Sequence, residues 1–227
     1  VSDTASLKAA VEAAGLGWRG GFHPGPADQV PPPEGADAAG TLILLGFTGM
    51  AQWPHFAAAP EYRDGQANPL DRWSRRVVGD LAARFGARAL YPFEGPPFLP
   101  FHAWARAAEP VFTSPLGLLI HPVHGLWHSY RGALAFADRL DLPSATEAVS
   151  PCDSCAEQPC LGACPVGAFV PGTYHVADCV AHVRSPAGTA CLTGGCRARL
   201  ACPVGAGDRY AGAQAEFHMR SFLGAQC

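Results

Sequence analysis

Eight of the nine cysteines in this 227-residue chain fall between positions 152 and 202, and their spacing is the feature that could carry chemistry. The first four read C-x2-C-x4-C-x3-C-P: Cys152, Cys155, Cys160 and Cys164, then Pro165. Cys179 stands alone. Cys191, Cys196 and Cys202 follow, and Cys202 again precedes a proline, Pro203. The unit Cys-Pro-Val-Gly therefore occurs at 164–167 and at 202–205, which reads as an internal pseudo-repeat. Each iron–sulfur cluster takes four thiolates, so eight thiolates make two quartets.

A short C-x2-C loop lets two sulfurs grip adjacent corners of one cubane, and the next cysteine arrives after one more small turn. The cysteine before proline is carried away toward a second cubane. In bacterial two-cluster ferredoxins the fourth cysteine of such a run ligates the other cluster. Applied here, Cys152, Cys155 and Cys160 share one cluster with the distant Cys202, and Cys164 joins Cys179, Cys191 and Cys196 around the second. The x4 gap between Cys155 and Cys160 departs from the usual x2. Two other readings use the same residues. Four-cysteine zinc sites have similar C-x2-C spacings. A disulfide framework could also use eight cysteines, but such frameworks belong to secreted chains. The Cys-Pro pairs and the lone middle cysteine favour two [4Fe–4S] clusters. Cys227 is left over and reads as an incidental tail thiol.

The chain is 48% apolar, enough for one good core plus a small module, or for two small domains. The net charge is −3 and Lys8 is the sole lysine, so no polyelectrolyte attraction to nucleic acid is expected. No apolar run approaches bilayer-spanning length, so no membrane partner is expected either. Val1-Ser2-Asp3-Thr4 carries no basic or apolar signal-peptide region. With oxidation-sensitive thiolates present, the expected compartment is the cytoplasm.

The elements that must position these thiols read as follows. Residues 3–14 form a short helix capped by Ser2 or Asp3 and stopped by Gly15. Residues 15–40 are a loop by composition, with Trp18, Phe22 and His23 in it. Thr41 to Gly46 is a buried strand. Residues 47–67 are irregular, with Trp53, His55 and Phe56 as candidates for a ligand wall. Residues 69–85 are the clearest helix: Asn68 caps it, Pro69 opens it and Gly86 ends it. Leu70, Trp73, Val77, Val78, Leu81 and Phe85 make its buried stripe, and Arg72, Arg75, Arg76 and Arg84 its solvated side. Residues 87–92 are a second strand, parallel to the first if the helix crosses over. Residues 101–108 form a short helix with Trp104 inward. Strands follow at 116–120 and 125–137 around a turn at Pro122–Gly125. Residues 138–151 link to the cysteines. Residues 176–184 form a helix carrying Cys179, and 211–223 a closing helix with Phe217, Met219, Phe222 and Leu223 available to pack. The pattern is α/β (α+β), with one domain at 1–147 and a second at 148–227.

The segment LLIHPVHGLWHSYRGALAFADRLDLP, residues 118–143, resembles the stretch before the clusters in epoxyqueuosine reductase. That family carries an apolar strand, His-Pro-x-x-Gly-x-Trp, a second strand ending near Leu-Pro, and then ferredoxin cysteines. Tyr174 to Cys179 sits where that family has its lone fifth cysteine. The same segment is similar to the cobalamin-processing reductase family named for methylmalonic aciduria and homocystinuria type C, through Ile120-His121-Pro122, Gly125, Trp127 and Arg131-Gly132. The strand TLILLG, the long loop and the Pro69-initiated helix are similar to that family too. The departures are Glu94-Gly95-Pro96-Pro97 where epoxyqueuosine reductase has D-x-x-P, and Thr113-Ser114-Pro115-Leu116-Gly117 in place of its glycine-rich Trp-containing loop. The C-terminal repeat domain of some members is also expected to be absent.

The resemblance implies a flavin-reductase-like (nitroreductase-like) cobalamin-binding domain fused to a bacterial-ferredoxin-like 2[4Fe–4S] module. It implies an oxidoreductase in which electrons enter through the clusters, pass to a base-off cobalamin, and remove its upper ligand or reduce its cobalt. On that reading His121, Pro122, Gly125 and Trp127 line the corrinoid, Gly125 by admitting the macrocycle close to backbone and Trp127 as an apolar wall. Glu94 is the candidate proton donor if its pocket is dry. The ordinary alternatives stand beside these: His121, His124 and His128 as hydrogen-bonded structural residues, Trp127 as core, and Glu94 as a turn cap. The rival functions are a ferredoxin-type electron carrier with no substrate of its own, and an epoxide-reducing enzyme acting on a modified nucleoside. The electron donor and the oligomeric state are not legible in the sequence.

Overall fold

Every residue from Thr41 to Phe47 is buried, which is why this stretch reads as an unbroken apolar run rather than an alternating one. It forms β2 (Thr41–Thr48) in a four-stranded sheet of order β1-β2-β6-β3, with β1 at Gly17–Phe22, β3 at Arg88–Leu90 and β6 at His128–Phe136. The computed structural model describes residues 4–143, 147–170 and 172–225. The capping of the first helix by Ser2 or Asp3 and the role of Cys227 therefore lie outside the described residues, as does part of the 138–151 linker.

The described chain divides into two compact units: residues 1–110 with 129–147, and residues 111–128 with 148–227. The segment 111–128, assigned by the sequence to the first domain, folds instead with the cysteines.

In the first unit, α1 (Thr4–Ala13) buries Leu7, Ala10 and Val11 and ends at Gly15, whose φ of +83° suits glycine alone. The sequence reading of 15–40 as loop misses β1. Its sequence GWRGGF has little side-chain patterning, and it becomes a strand through antiparallel pairing with β2, with a register shift between Trp18 and Gly21. The expected irregular stretch 47–67 holds two short helices, α2 (Trp53–Ala58) and α3 (Pro60–Arg63). Phe56 is fully buried and packs edge-on against the half-buried Trp53, and against Tyr62 and Trp73, so Phe56 is a core residue. His55 sits exposed beside Gly15, too close for any Cβ there.

Helix α4 (Pro69–Phe85) buries Leu70, Trp73, Val77, Val78 and Leu81, with Phe85 half-buried. Asn68 makes no side-chain cap; it takes the left-handed conformation (φ +51°) that asparagine tolerates, and Pro69 starts the helix. Three of the four arginines of α4 make ion pairs: Arg72 with Asp64, Arg75 with Glu94, and Arg76 with Glu61 through two hydrogen bonds of 2.6 and 3.0 Å. The next strand, β3, pairs antiparallel with β6. Gly40 N–H donates to Phe136 O at one end of β2, while Gly46 lies against Ser129 at the other, so β2 and β6 are also antiparallel. Strands β2 and β3 therefore run the same way but are separated by β6. Helix α5 (Phe101–Ala108) packs on β1 and points Trp104 inward, its indole N–H donating to Asp28 O at 2.7 Å. A buried ionic cluster ties β1 to the end of α5. Arg19, only 2% exposed, meets Glu109 at 2.7 Å, and Tyr130 O–H donates to the same carboxylate.

The second unit opens with a small ribbon, β4 (Phe112–Thr113) against β5 (Leu119–Ile120), separate from the main sheet. The turn that follows closes through His121 and Gly125, which exchange backbone hydrogen bonds of 2.9 and 2.8 Å. Beyond come α6 (Pro159–Gly162), the hairpin β7 (Phe169–Val170) and β8 (Thr173–Tyr174), α7 (Val176–Arg184), α8 (Thr189–Gly194), α9 (Arg197–Ala201) and α10 (Gly212–Gly224). An apolar cluster of Leu116, Ile120, Leu126, Cys160, Ala198 and Cys202 joins the ribbon to the cysteine helices. Among the described residues no helix is long and apolar enough to cross a membrane.

Candidate metal centre

The eight described cysteines are all free thiols, and the second unit gathers them in two sets. Cys152, Cys155, Cys160 and Cys202 line one cavity of about 290 Å³, walled by Pro115, Ile120, Leu126 and Val204. Cys164, Cys179, Cys191 and Cys196 line another of about 250 Å³, walled by Leu116, Val166, Phe169, Val183, Met219 and Phe222. These are the same two sets that the crossed ferredoxin pattern puts together.

Local structure explains how each thiol arrives. Cys155 N–H donates to Cys152 O, closing the tight turn that a two-residue gap permits, and Cys152 N–H donates to Ser150 Oγ at 3.2 Å. Cys160 rides on the single turn of α6, started by Pro159 after Gln158 in the left-handed region (φ +39°). The x4 gap thus contains a complete turn reversal before the helix. Cys164 leaves α6 ahead of Pro165, and its sulfur accepts the Ala168 N–H at 3.3 Å. Cys179 sits on α7, Cys191 on α8, and Cys196 caps α9. Cys202 ends α9, and its carbonyl accepts from Arg209 at 3.1 Å.

Two thiols in each set resist ionisation. Burial pushes the Cys152 and Cys160 thiols up, with the nearby Cys202 charge adding to the effect in each case. Burial also pushes Cys191 and Cys196 up; backbone N–H donors, from Arg197 toward Cys191 and from Arg199 and Ala198 toward Cys196, oppose it. Buried thiols of this kind ionise readily beside a cationic centre, which deprotonates its ligands outright. Among the described residues, no three His, Cys, Asp or Glu side chains converge closely enough to hold a single metal ion. Each set of four cysteines lines one cavity. Four cysteines around one cavity are the donor set that a [4Fe–4S] cubane takes.

Tyr174 was singled out in the sequence only through a resemblance. In the structure its ring stacks on Phe169 at 4.5 Å, and its phenol is pushed up first by burial and then by its hydrogen bond to Cys179. Ser114 and His182 also line the cavities. Neither has a spacing signal that singles it out.

The residues nominated for a corrinoid have other occupations. Gly125 does permit a close approach (φ +57°), but it is the approach of Val204, whose carbonyl oxygen would lie 2.1 Å from a Cβ at that position. Its partner is therefore the second Cys-Pro-Val-Gly unit, not a macrocycle. Trp127 is 2% exposed, packed edge-on against Tyr210, with the Arg199 guanidinium 4.4 Å from its ring centroid. It is core, not wall. His121 Nδ1 accepts the backbone N–H groups of Val123 and His124 at 3.1 and 3.3 Å, bracing the turn that contains Pro122. His124 pairs with Asp208 at 2.8 Å, and His128 is buried against Leu119 O at 3.0 Å. In the first unit Glu94 is 47% exposed and bound to Arg75 at 2.8 Å, so it occupies no dry pocket.

No protein-family model matches this chain, and no curated protein matches it significantly. Solved structures do. An epoxyqueuosine reductase crystallised with an epoxyqueuosine-modified tRNA-Tyr stem loop is 17% identical, with a TM-score of 0.52 over 93% of this chain and 68% of that one. An epoxyqueuosine reductase from Bacillus subtilis, with its catalytic loop swung out of the active site, is also 17% identical, with a TM-score of 0.49 over 94% of this chain and 69% of that one. The chain thus shares a mixed α/β fold with epoxyqueuosine reductase over most of its length.

Proposed function

We propose that this chain is a two-cluster iron–sulfur oxidoreductase. One [4Fe–4S] cluster is held by Cys152, Cys155, Cys160 and Cys202, the other by Cys164, Cys179, Cys191 and Cys196. The observation that carries the reading is the sorting of eight free thiols into two quartets, each around its own apolar cavity. Bound clusters would supply one-electron chemistry at a potential set by their surroundings. The protein contributes thiolate ligands, apolar walls that exclude water, and backbone N–H groups aimed at sulfur. Anaerobic reconstitution followed by iron and sulfide analysis tests this: about eight of each per chain is expected for two full clusters. Zinc at the thiols, or protein that stays colourless, would sink it.

A second reading extends the first. The fold shared with epoxyqueuosine reductase favours an electron acceptor in this same polypeptide over a bare ferredoxin-type carrier. The acceptor we favour is a corrinoid small molecule, as the resemblance to the cobalamin-processing family implies. Titration of the anaerobic protein with cobalamin decides: a base-off absorption shift supports corrinoid binding, and an unchanged corrinoid spectrum beside intact brown protein supports the carrier. The tRNA stem loop belongs to the related crystal structure. The net charge of −3 gives this chain no general electrostatic pull on a polyanion.

A further inference from the structure

Ser114 and His182 each hold a buried polar atom in a cavity lining with no hydrogen-bond partner among the described residues. Ser114 Oγ is one, on a residue only 6% exposed that lines the cavity of Cys152, Cys155, Cys160 and Cys202. Its backbone is fully engaged, since Ser114 N–H donates to Leu118 O and Ser114 O accepts from Gly117 N–H. Only the hydroxyl is left over. His182 Nε2 is the other, and His182 lines the cavity of Cys164, Cys179, Cys191 and Cys196. On α7 it follows Cys179 by three residues, so both project from one face of the helix. A buried donor without an acceptor is costly and rare in native proteins, which points to an acceptor that occupies each cavity in the working protein.

We infer that Ser114 Oγ–H and His182 Nε2–H are hydrogen-bond donors to the bound clusters, Ser114 to one and His182 to the other, and that they set the two reduction potentials. The inference rests on the two-cluster reading and deepens it. Cluster and thiolate sulfurs are the acceptors available in these cavities. On reduction each cluster gains one electron, so its sulfurs become more negative and the hydrogen bond strengthens. Each donor therefore favours the reduced form and raises the potential of its own cluster. Both are positioning residues and neither is a ligand.

The test is a redox titration of the anaerobically reconstituted full chain, with dithionite as the one-electron reductant and electron paramagnetic resonance as the readout. Ser114→Ala is expected to shift one reduction step about fivefold toward the oxidised form, roughly 40 mV lower, and leave the other in place. His182→Phe is expected to do the converse, with His182→Leu used if the phenylalanine variant does not retain iron. Ser114→Thr and His182→Gln keep a donor and are expected to hold the wild-type values. Pulsed resonance in deuterated buffer should show an exchangeable deuteron near one cluster that Ser114→Ala removes. Full iron content with both steps unmoved overturns the inference while the two-cluster reading stands. Wild-type protein without iron overturns the two-cluster reading itself, and the iron assay reports that separately from any potential.

Discussion

Paired cysteine removals decide how the thiols are shared. In the crossed arrangement Cys202 belongs with Cys152, Cys155 and Cys160, although it is far from them in sequence; in a sequential arrangement it would belong with Cys179, Cys191 and Cys196. Single substitutions do not separate these cases, because each removes one ligand from one cluster either way. Double substitutions do. Cys160→Ala with Cys202→Ala strikes one quartet twice in the crossed arrangement, leaving the other four thiols untouched, so iron falls from about eight to about four per chain. In the sequential arrangement the same pair strikes both quartets and iron falls toward zero. Cys160→Ala with Cys164→Ala gives the mirror image: loss of both clusters if crossed, of one if sequential. Alanine suits these sites because Cys160 and Cys202 lie in the apolar cluster with Leu116, Ile120, Leu126 and Ala198, where a small apolar side chain keeps the packing. The assay is iron and sulfide per chain after anaerobic reconstitution, with integrated resonance intensity of the dithionite-reduced protein. A Cys160/Cys202 double variant with no cluster, beside a Cys160/Cys164 double variant that keeps one, would refute the crossed reasoning.

Further outcomes follow from particular contacts. Tyr174→Phe deletes the hydroxyl bonded to Cys179 and should lower the potential of the cluster at Cys164, Cys179, Cys191 and Cys196 by roughly 40 mV, the one-electron equivalent of a net hydrogen bond, read by redox titration; an unmoved potential argues that the bond is lost in the loaded protein. Gly125→Ala forces a Cβ onto the Val204 carbonyl at positive φ and should cost about 2 kcal/mol or more, seen as a lower Tm by circular dichroism. Glu109→Gln leaves Arg19 buried without its counter-charge and should cost about 3–5 kcal/mol in urea unfolding, more than an exposed pair such as Arg220–Glu216 would lose. Glu61 is held below the usual carboxylate range chiefly by its hydrogen bond from Arg76, so its contribution to stability is complete above pH about 4.3 and fades as the pH falls below that. Arg76→Ala should flatten that part of the acid-unfolding profile.

What was legible in the sequence was what depends on near neighbours. The helix at 69–85 could be read because Pro69, the apolar spacing and Gly86 are all local signals, and β2 because a strand covered on both faces is apolar at every position. The helix carrying Cys179 and the inward turn of Trp104 are of the same kind. The number of cysteines, their C-x2-C start and their two Cys-Pro endings point to thiolate-ligand chemistry before any fold is known, since thiolate spacing is itself a local constraint.

The tertiary structure decided whatever depends on residues far apart in the chain. Strand β1 is invisible in GWRGGF because pairing with β2, not patterning, makes it a strand. The segment 111–128 joins the cysteine unit because its apolar side chains find partners in α6 and α9, which no boundary signal announces. Gly125 and Trp127 carry the same residue types whether they face a macrocycle or a protein core. Only the position of Val204, Arg199 and Tyr210 tells which, and those neighbours are more than seventy residues away along the chain. Ser114 and His182 stand out for the same reason: a hydroxyl and an imidazole become informative only when burial has removed every other partner.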